Sequence, residues 1–203
     1  MKNRIATTTA LTLTALLTLA GCASTSGSGS MPGMDHSGGS SSSASAPATA
    51  DANEADIMFA TMMIEHHKQA IEMSDTLLAK DGIDERVVTL AEDIKAAQEP
   101  EIQQMQGWLS DWGAESNSSD MGGMDHGGGM MSEEDMQALE SAEGNEAARL
   151  FLEQMMEHHR GAIDMAKDEL NDGQNSDAVT LAQSIIDTQT AEITTMEDLL
   201  ATL

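Results

Sequence analysis

From about residue 53 to the end of the chain, apolar residues recur every three to four positions, and no stretch alternates strictly enough to read as a half-buried strand. The pattern predicts an all-α protein. A first helix is expected over residues 54–80, with Asp51 or Asn53 as its cap and Asp81-Gly82-Ile83 as its end. A second is expected over residues 84–112. Pro100 lies inside it and should kink it or mark a local break, because proline removes a backbone donor and crowds the preceding turn. Gly-Gly and Gly-Gly-Gly steps then rule out a continuous helix across residues 113–131. Ser132-Glu133-Glu134-Asp135 has the look of a helix start, so a short helix is predicted to about Ser141. Two long helices follow, over residues 145–170 and 176–202, separated by Asn171-Asp172-Gly173-Gln174-Asn175.

The pattern is duplicated. Met62-Met63-Ile64-Glu65-His66-His67 recurs as Gln154-Met155-Met156-Glu157-His158-His159, and Val88-Thr89-Leu90-Ala91 through Met105 recurs as Val179-Thr180-Leu181-Ala182 through Met196. Each half therefore reads as a helical hairpin. Two hairpins give a four-helix bundle over residues 53–203, with repeat one at 53–112, a Gly/Met linker at 113–131 and repeat two at 132–203. The duplication predicts approximate two-fold symmetry.

The chain before residue 53 has another character. Lys2 and Arg4 precede an apolar, Thr-rich stretch that ends in Leu19-Ala20-Gly21-Cys22, so residues 1–21 read as a lipoprotein signal peptide and Cys22 as the lipidated residue. Residues 22–52 are rich in Ser and Gly and form a flexible tether in this reading. The expected location is extracytoplasmic, with the membrane as partner through the lipid. Cys22 is the only cysteine, so the mature fold has no internal disulfide or thiolate site. A formal charge of −26 and 2% aromatic residues speak against nucleic acid and anionic headgroups as partners.

All six histidines lie in repeated motifs, and thioether and imidazole donors suit soft or borderline transition metals. On a helical wheel His66 sits inside the apolar stripe with Met62, Met63 and Met73, and His67 stays on the buried side, whereas Glu65 and Glu72 should face solvent. His158 and His159 repeat this with Met155 and Met165. On the partner helices Gln98, Glu101 and Met105, and their counterparts Gln189, Glu192 and Met196, share the apolar face. Burying an unpaired carboxylate costs several kcal/mol, roughly, so each Gln/Glu pair is expected opposite a His doublet, as direct ligands or as acceptors that hold the imidazoles. Met31, Met34 and His36, with Met121, Met124 and His126, form two flexible Met-x-Gly-Met-Asp-His-like segments that could capture metal.

Other chemistries fail on spacing. There is no His-Glu-x-x-His, no Glu-x-x-His for a carboxylate di-iron site, no phosphate-binding glycine loop after a strand and no nucleophile elbow. The residues point to metal binding without turnover; a buried His–Glu network inside a non-metal envelope scaffold is the first alternative, and a ferritin-like oxidase, against which the missing ligand spacing speaks, is the second.

Phe59-x-x-Met62-Met63-Ile64-x-His66-His67-x-x-Ala70-Ile71-x-Met73, Gln98-x-x-Glu101-Ile102-x-x-Met105 with Trp108-Leu109-x-x-Trp112-Gly113, and the second doublet around Phe151 and Met165 resemble the CopM-like family of bacterial extracytoplasmic Met/His-rich proteins, catalogued as a domain of unknown function. A common variant of the motif has Pro before the doublet, where this chain has Glu65 and Glu157. The resemblance spans residues 54–202 and implies a ferritin-like four-helix bundle with copper binding, Cu(I) or Cu(II), and copper tolerance outside the cytoplasm. The function expected is thus a lipid-anchored copper-binding protein that buffers, sequesters or transfers the ion.

Overall fold

The structure is a computed structural model that describes residues 52–114 and 128–203. Five helices follow in order: α1 (Glu54–Leu78), α2 (Glu85–Asp111), α3 (Glu133–Ser141), α4 (Gly144–Asp172) and α5 (Ser176–Leu200), with no strand among the described residues. Each start has a local cause. Asn53 and Asp56 form a capping box on α1, and Ser132 and Asp135 form one on α3. Asp84 caps α2 and Asn175 caps α5 through their side chains. Only α4 lacks a side-chain cap; its first residue, Gly144, is at φ +54°.

The local break expected at Pro100 does not occur, because α2 runs on through it. Pro100 and Ala96, whose carbonyl loses its helical donor, both face solvent, so water can take the place of the missing N–H.

The four long helices form a ferritin-like bundle of two duplicated hairpins, α1–α2 and α4–α5, which meet chiefly through α1 and α4. Their core is divided. One apolar cluster gathers the late part of α1 (Met73, Leu77) with the early parts of α2 and α4 (Ile94, Phe151). The other gathers early α1 (Phe59, Met63), late α2 (Met105, Leu109) and late α4 (Ala162, Ala166). This order makes α1 antiparallel to both α2 and α4. Between the clusters, every long helix turns polar at the same level: His66 and His67, Gln98 and Glu101, His158 and His159, Gln189 and Glu192.

Asp56 ties the hairpins together at one end. Its side chain is fully buried and accepts the backbone N–H of Gln174 (3.0 Å) and Asn175 (2.8 Å) in the α4–α5 turn, as well as that of Asn53 in its own cap. Burial alone would raise its pKa, but the donors from Asn53, Asn175, Glu169 and Gln174 outweigh it and hold the carboxylate below its usual range. Glu169 lies beside it, 1% exposed and without an N–H donor at either oxygen. Burial, and then the neighbouring Asp56, push its pKa up to about 8, so at neutral pH it keeps its proton and shares it with Asp56.

Between pH 4.5, the ordinary Glu value, and about 8 the folded chain holds a proton that the unfolded chain has released. Folding is therefore favoured on the acid side of this window, and the advantage fades as pH rises to about 8. Glu169→Gln keeps the shape without the charge. Urea denaturation across pH is expected to show the variant gaining stability over the parent as pH climbs through the window and no further gain above it; parallel profiles would contradict the pairing. Replacing Asp56 by Ala removes the acceptor of the backbone N–H groups of Asn53, Gln174 and Asn175 and should cost about 2–4 kcal/mol.

Candidate metal centre at the bundle midplane

The polar level of the core is built by the α1–α4 crossing. His66 from α1 and His158 from α4 meet there with ring centroids 3.7 Å apart and planes inclined at 41°. His67 and His159 point instead into their own hairpins. His67 Nε2 lies 2.7 Å from Glu101 Oε2 on α2, and His159 Nε2 lies 2.6 Å from Glu192 Oε2 on α5. The two-fold relation predicted from the duplication thus passes through the His66–His158 pair, with a His–Glu contact on either side.

All four imidazoles are buried, His66 being the most accessible at 1%. Six of their ring nitrogens lack a hydrogen-bond partner: both of His66, both of His158, and Nδ1 of His67 and of His159. An unpaired buried polar atom costs about 1–3 kcal/mol, so this level of the core is destabilising unless something else satisfies it. Gln98 and Gln189 do not, because both amides are buried with atoms that are themselves unpaired. Burial, followed by repulsion from His67 and His159, lowers the His66 pKa to about 3, against a slight opposing pull from the Gly128 carbonyl. Burial and the other three histidines lower His158 well below its ordinary value. Both rings are neutral imidazoles at physiological pH, the form in which a nitrogen lone pair can bind a metal.

The linker closes the site from outside. A side chain on Gly161 would overlap the Gly128 carbonyl, and a Cβ on Gly129 would come within 2.7 Å of the Glu157 carbonyl, so residues 128 and 129 lie backbone to backbone on α4 one turn from His158. On α1, Gln69 holds the same strap: its Nε2 donates to the Met131 carbonyl (2.9 Å) and its Oε1 accepts the Met131 N–H (2.7 Å). Repeat one has Gln69 where repeat two has Gly161. That exchange of a reaching amide for no side chain at all is a trace of the crossing in the sequence, but it does not say what crosses.

The structure distributes the other sequence-predicted residues in three groups. Met63 and Met105 are buried in one apolar cluster, and Met155 and Met196 in the other, flanking the histidine level. Met73 and Met165 are seven residues from His66 and His158, about 10 Å along the helix axis, which puts them out of reach of an ion held by that pair. Met73 is core, whereas Met62 and Met165 are half-buried along an open groove. Cys22, Met31, Met34, His36, Met121, Met124 and His126 lie outside the described residues. Within those described, no three His, Cys, Asp or Glu side chains form a group that could hold a metal. The donors present are thus a pair of imidazoles with thioethers on either side, a soft and sparse set.

A duplicated four-helix bundle with paired histidines at its crossing defines the class of protein. Residues 56–200 match the family described as "Domain of unknown function (DUF305)", and the chain belongs to that family. Among solved structures, a DUF305 protein from Streptomyces coelicolor is 38% identical, with a TM-score of 0.67 over 72% of this chain and 92% of that one. CopM in its Cu(I)-bound form is 30% identical, with a TM-score of 0.58 over 72% of this chain and 96% of that one. Its Cu(II)-bound form is 29% identical, with a TM-score of 0.61 over 72% and 96%. No curated protein matches.

In metal-free protein the His66 and His158 ring signals should show no titration between pH 5 and 8 by NMR. Their lowered pKa values mean that the unfolded chain takes up protons the folded rings refuse, so stability should fall as pH drops from 6.5 toward about 3. Glu101→Ala leaves His67 Nε2 unpaired in the core and should cost about 1–3 kcal/mol by chemical denaturation, with Glu192→Ala matching it.

Proposed function

We propose that the bundle binds a soft monovalent cation, Cu(I) in its native setting, between His66 and His158, and that it buffers, sequesters or passes on the ion without turnover. The observation that carries this reading is the set of six unpartnered imidazole nitrogens in a sealed core. A purely structural His–Glu network explains His67–Glu101 and His159–Glu192, but leaves both nitrogens of His66 and of His158 unsatisfied. A metal ion supplies what they lack. Met63 and Met155, one turn before His66 and His158, are the thioethers placed to complete the coordination, while Glu101 and Glu192 orient His67 and His159.

The donor set favours the monovalent state. Divalent first-row ions draw on several N and O ligands, and the described residues hold no such group. A d10 monovalent ion accepts two or three soft donors, which the midplane supplies. CopM, a relative of about 30% identity, has been crystallised with Cu(I), Cu(II) and Ag bound, which fits this assignment. We further propose an extracytoplasmic location with anchoring through lipid on Cys22, consistent with the Leu19-Ala20-Gly21-Cys22 sequence. No described helix is long and apolar enough to cross a membrane.

Competition titrations of the mature protein with Cu(I), Ag(I) and Cu(II) test the reading. Cu(I) and Ag(I) should bind more tightly than Cu(II), and His66→Ala with His158→Ala should weaken both by at least a hundredfold, about 2.8 kcal/mol. A bound Cu(I) and Ag(I) stoichiometry that is unchanged after all four doublet histidines are replaced by Ala would rule the midplane site out.

A further inference from the structure

Apart from the midplane, α1 and α4 form a groove that the two-fold relation does not treat equally at its two ends. Beyond the linker crossing toward the end of α1, α3 covers the groove: Leu139 is fully buried in the cluster with Phe151, and Gln154 Nε2 donates to the Asp135 carbonyl at 2.9 Å. Toward the start of α1, around Phe59, the matching space forms an open groove of about 510 Å³. Three thioethers line it: Met58 and Met62, one helical turn apart on α1, and Met165 on α4. Their counterparts at the covered end are Leu150, Gln154 and Met73, so repeat one carries sulfur at two positions where repeat two has a hydrocarbon and an amide.

Core packing accounts for Met165, which lies against the apolar cluster around Phe59, but not for Met58 and Met62. Met58 is 45% exposed, the one large hydrophobic side chain left so open among the described residues, and Met62 and Met165 are only half-buried. Asp164, Asp168 and Asp172 line the same groove from one ridge of α4, and no Lys or Arg lines it. Lys167, the nearest cation on that helix, pairs outward with Asp164 at 2.9 Å. The inner wall includes Glu169, 1% exposed, with neither carboxyl oxygen meeting an N–H donor. At the inner end stand Gly128 and Gly161, the backbone pair that separates the groove from His66 and His158.

We infer that Met58, Met62 and Met165 form an outer site for a monovalent soft cation, Cu(I) or Ag(I), from which the ion passes under the Gly128–Gly129 strap to the midplane histidines. The acidic ridge concentrates cations at the mouth, and neutral thioethers select soft ions from among them, since hard divalent ions gain little from sulfur. The onward step rests on the midplane reading proposed above. The outer site itself does not.

The test uses the mature chain labelled at its methionine methyl carbons. Met58→Leu, Met62→Leu and Met165→Leu preserve volume and remove sulfur. Addition of Ag(I) should move the Met58, Met62 and Met165 methyl signals, and should do so again when His66, His67, His158 and His159 are all Ala; one equivalent of Ag(I) should remain in that background and vanish with the triple Leu substitution. With the histidines intact, the triple variant should bind midplane Ag(I) within twofold of the parent affinity but load at least tenfold more slowly in stopped flow. Methyl signals of these three residues that Ag(I) leaves unmoved in both backgrounds, or that Ca(II) moves equally, overturn the outer site. Loading of the triple variant at the parent rate overturns the passage inward. Methyl shifts in the four-histidine variant uphold the outer site even where the midplane proposal has failed, and if that variant does not fold the shifts in the parent protein decide.

Discussion

The fold is organised around an unsatisfied demand: four buried imidazoles at one level of a dry helical core, six of whose nitrogens have nothing to bond. Apolar clusters on both sides keep water from reaching that level, and the same dryness keeps His66 and His158 neutral. A bundle of this size could bury leucine at those positions with less strain on its stability. Unpaired nitrogens there cost stability, and the two His–Glu contacts limit the loss by satisfying one nitrogen in each flanking ring.

The duplication places the histidine pair, and the departures from it decide which part of the groove is covered. Two copies of one hairpin, related through the His66–His158 contact, present like residues to each other at the crossing. A single chain must nevertheless join them, and the joining segment passes over the crossing at Gly161 on one helix and Gln69 on the other. The helix that follows it, α3, covers one half of the α1–α4 groove and leaves the other open. Symmetry builds the donor pair, while connectivity gives the molecule a closed side and an open one.

Charge and softness act at different ranges. The formal charge of −26 attracts cations of every kind over distances of about a Debye length, but it does not choose among them. Under the proposed function choice belongs to the donors, and those at the centre are neutral: imidazole and thioether offer polarisable lone pairs without the negative charge a hard cation needs. The carboxylates beside the core have partners of their own. Glu101 and Glu192 are engaged by His67 and His159, and Glu169 is paired with Asp56 at the far end of the bundle.

Helix number, hairpin duplication and the inward facing of both histidine doublets were legible in the chain, because apolar spacing and repeat offset are local properties of a helix surface. That Glu101 and Glu192 stand opposite the histidine doublets was legible too, since a Glu repeated on an apolar face demands a partner, but not which histidine each one meets. Which rings meet across the hairpins was not. A helical wheel gives the direction of His66 but no depth along the bundle axis, so it could not separate Met73 and Met165 from the histidine level or bring His66 against His158. The unbroken helix at Pro100 depends on Ala96 facing water, and the pairing of Asp56 with Glu169 joins residues 113 positions apart in the chain. Donor identity and helical face are thus decided by the sequence, through period and chemistry alone. Register between hairpins, closure by the linker and the open groove are decided by packing, because they arise where surfaces distant in the chain come into contact.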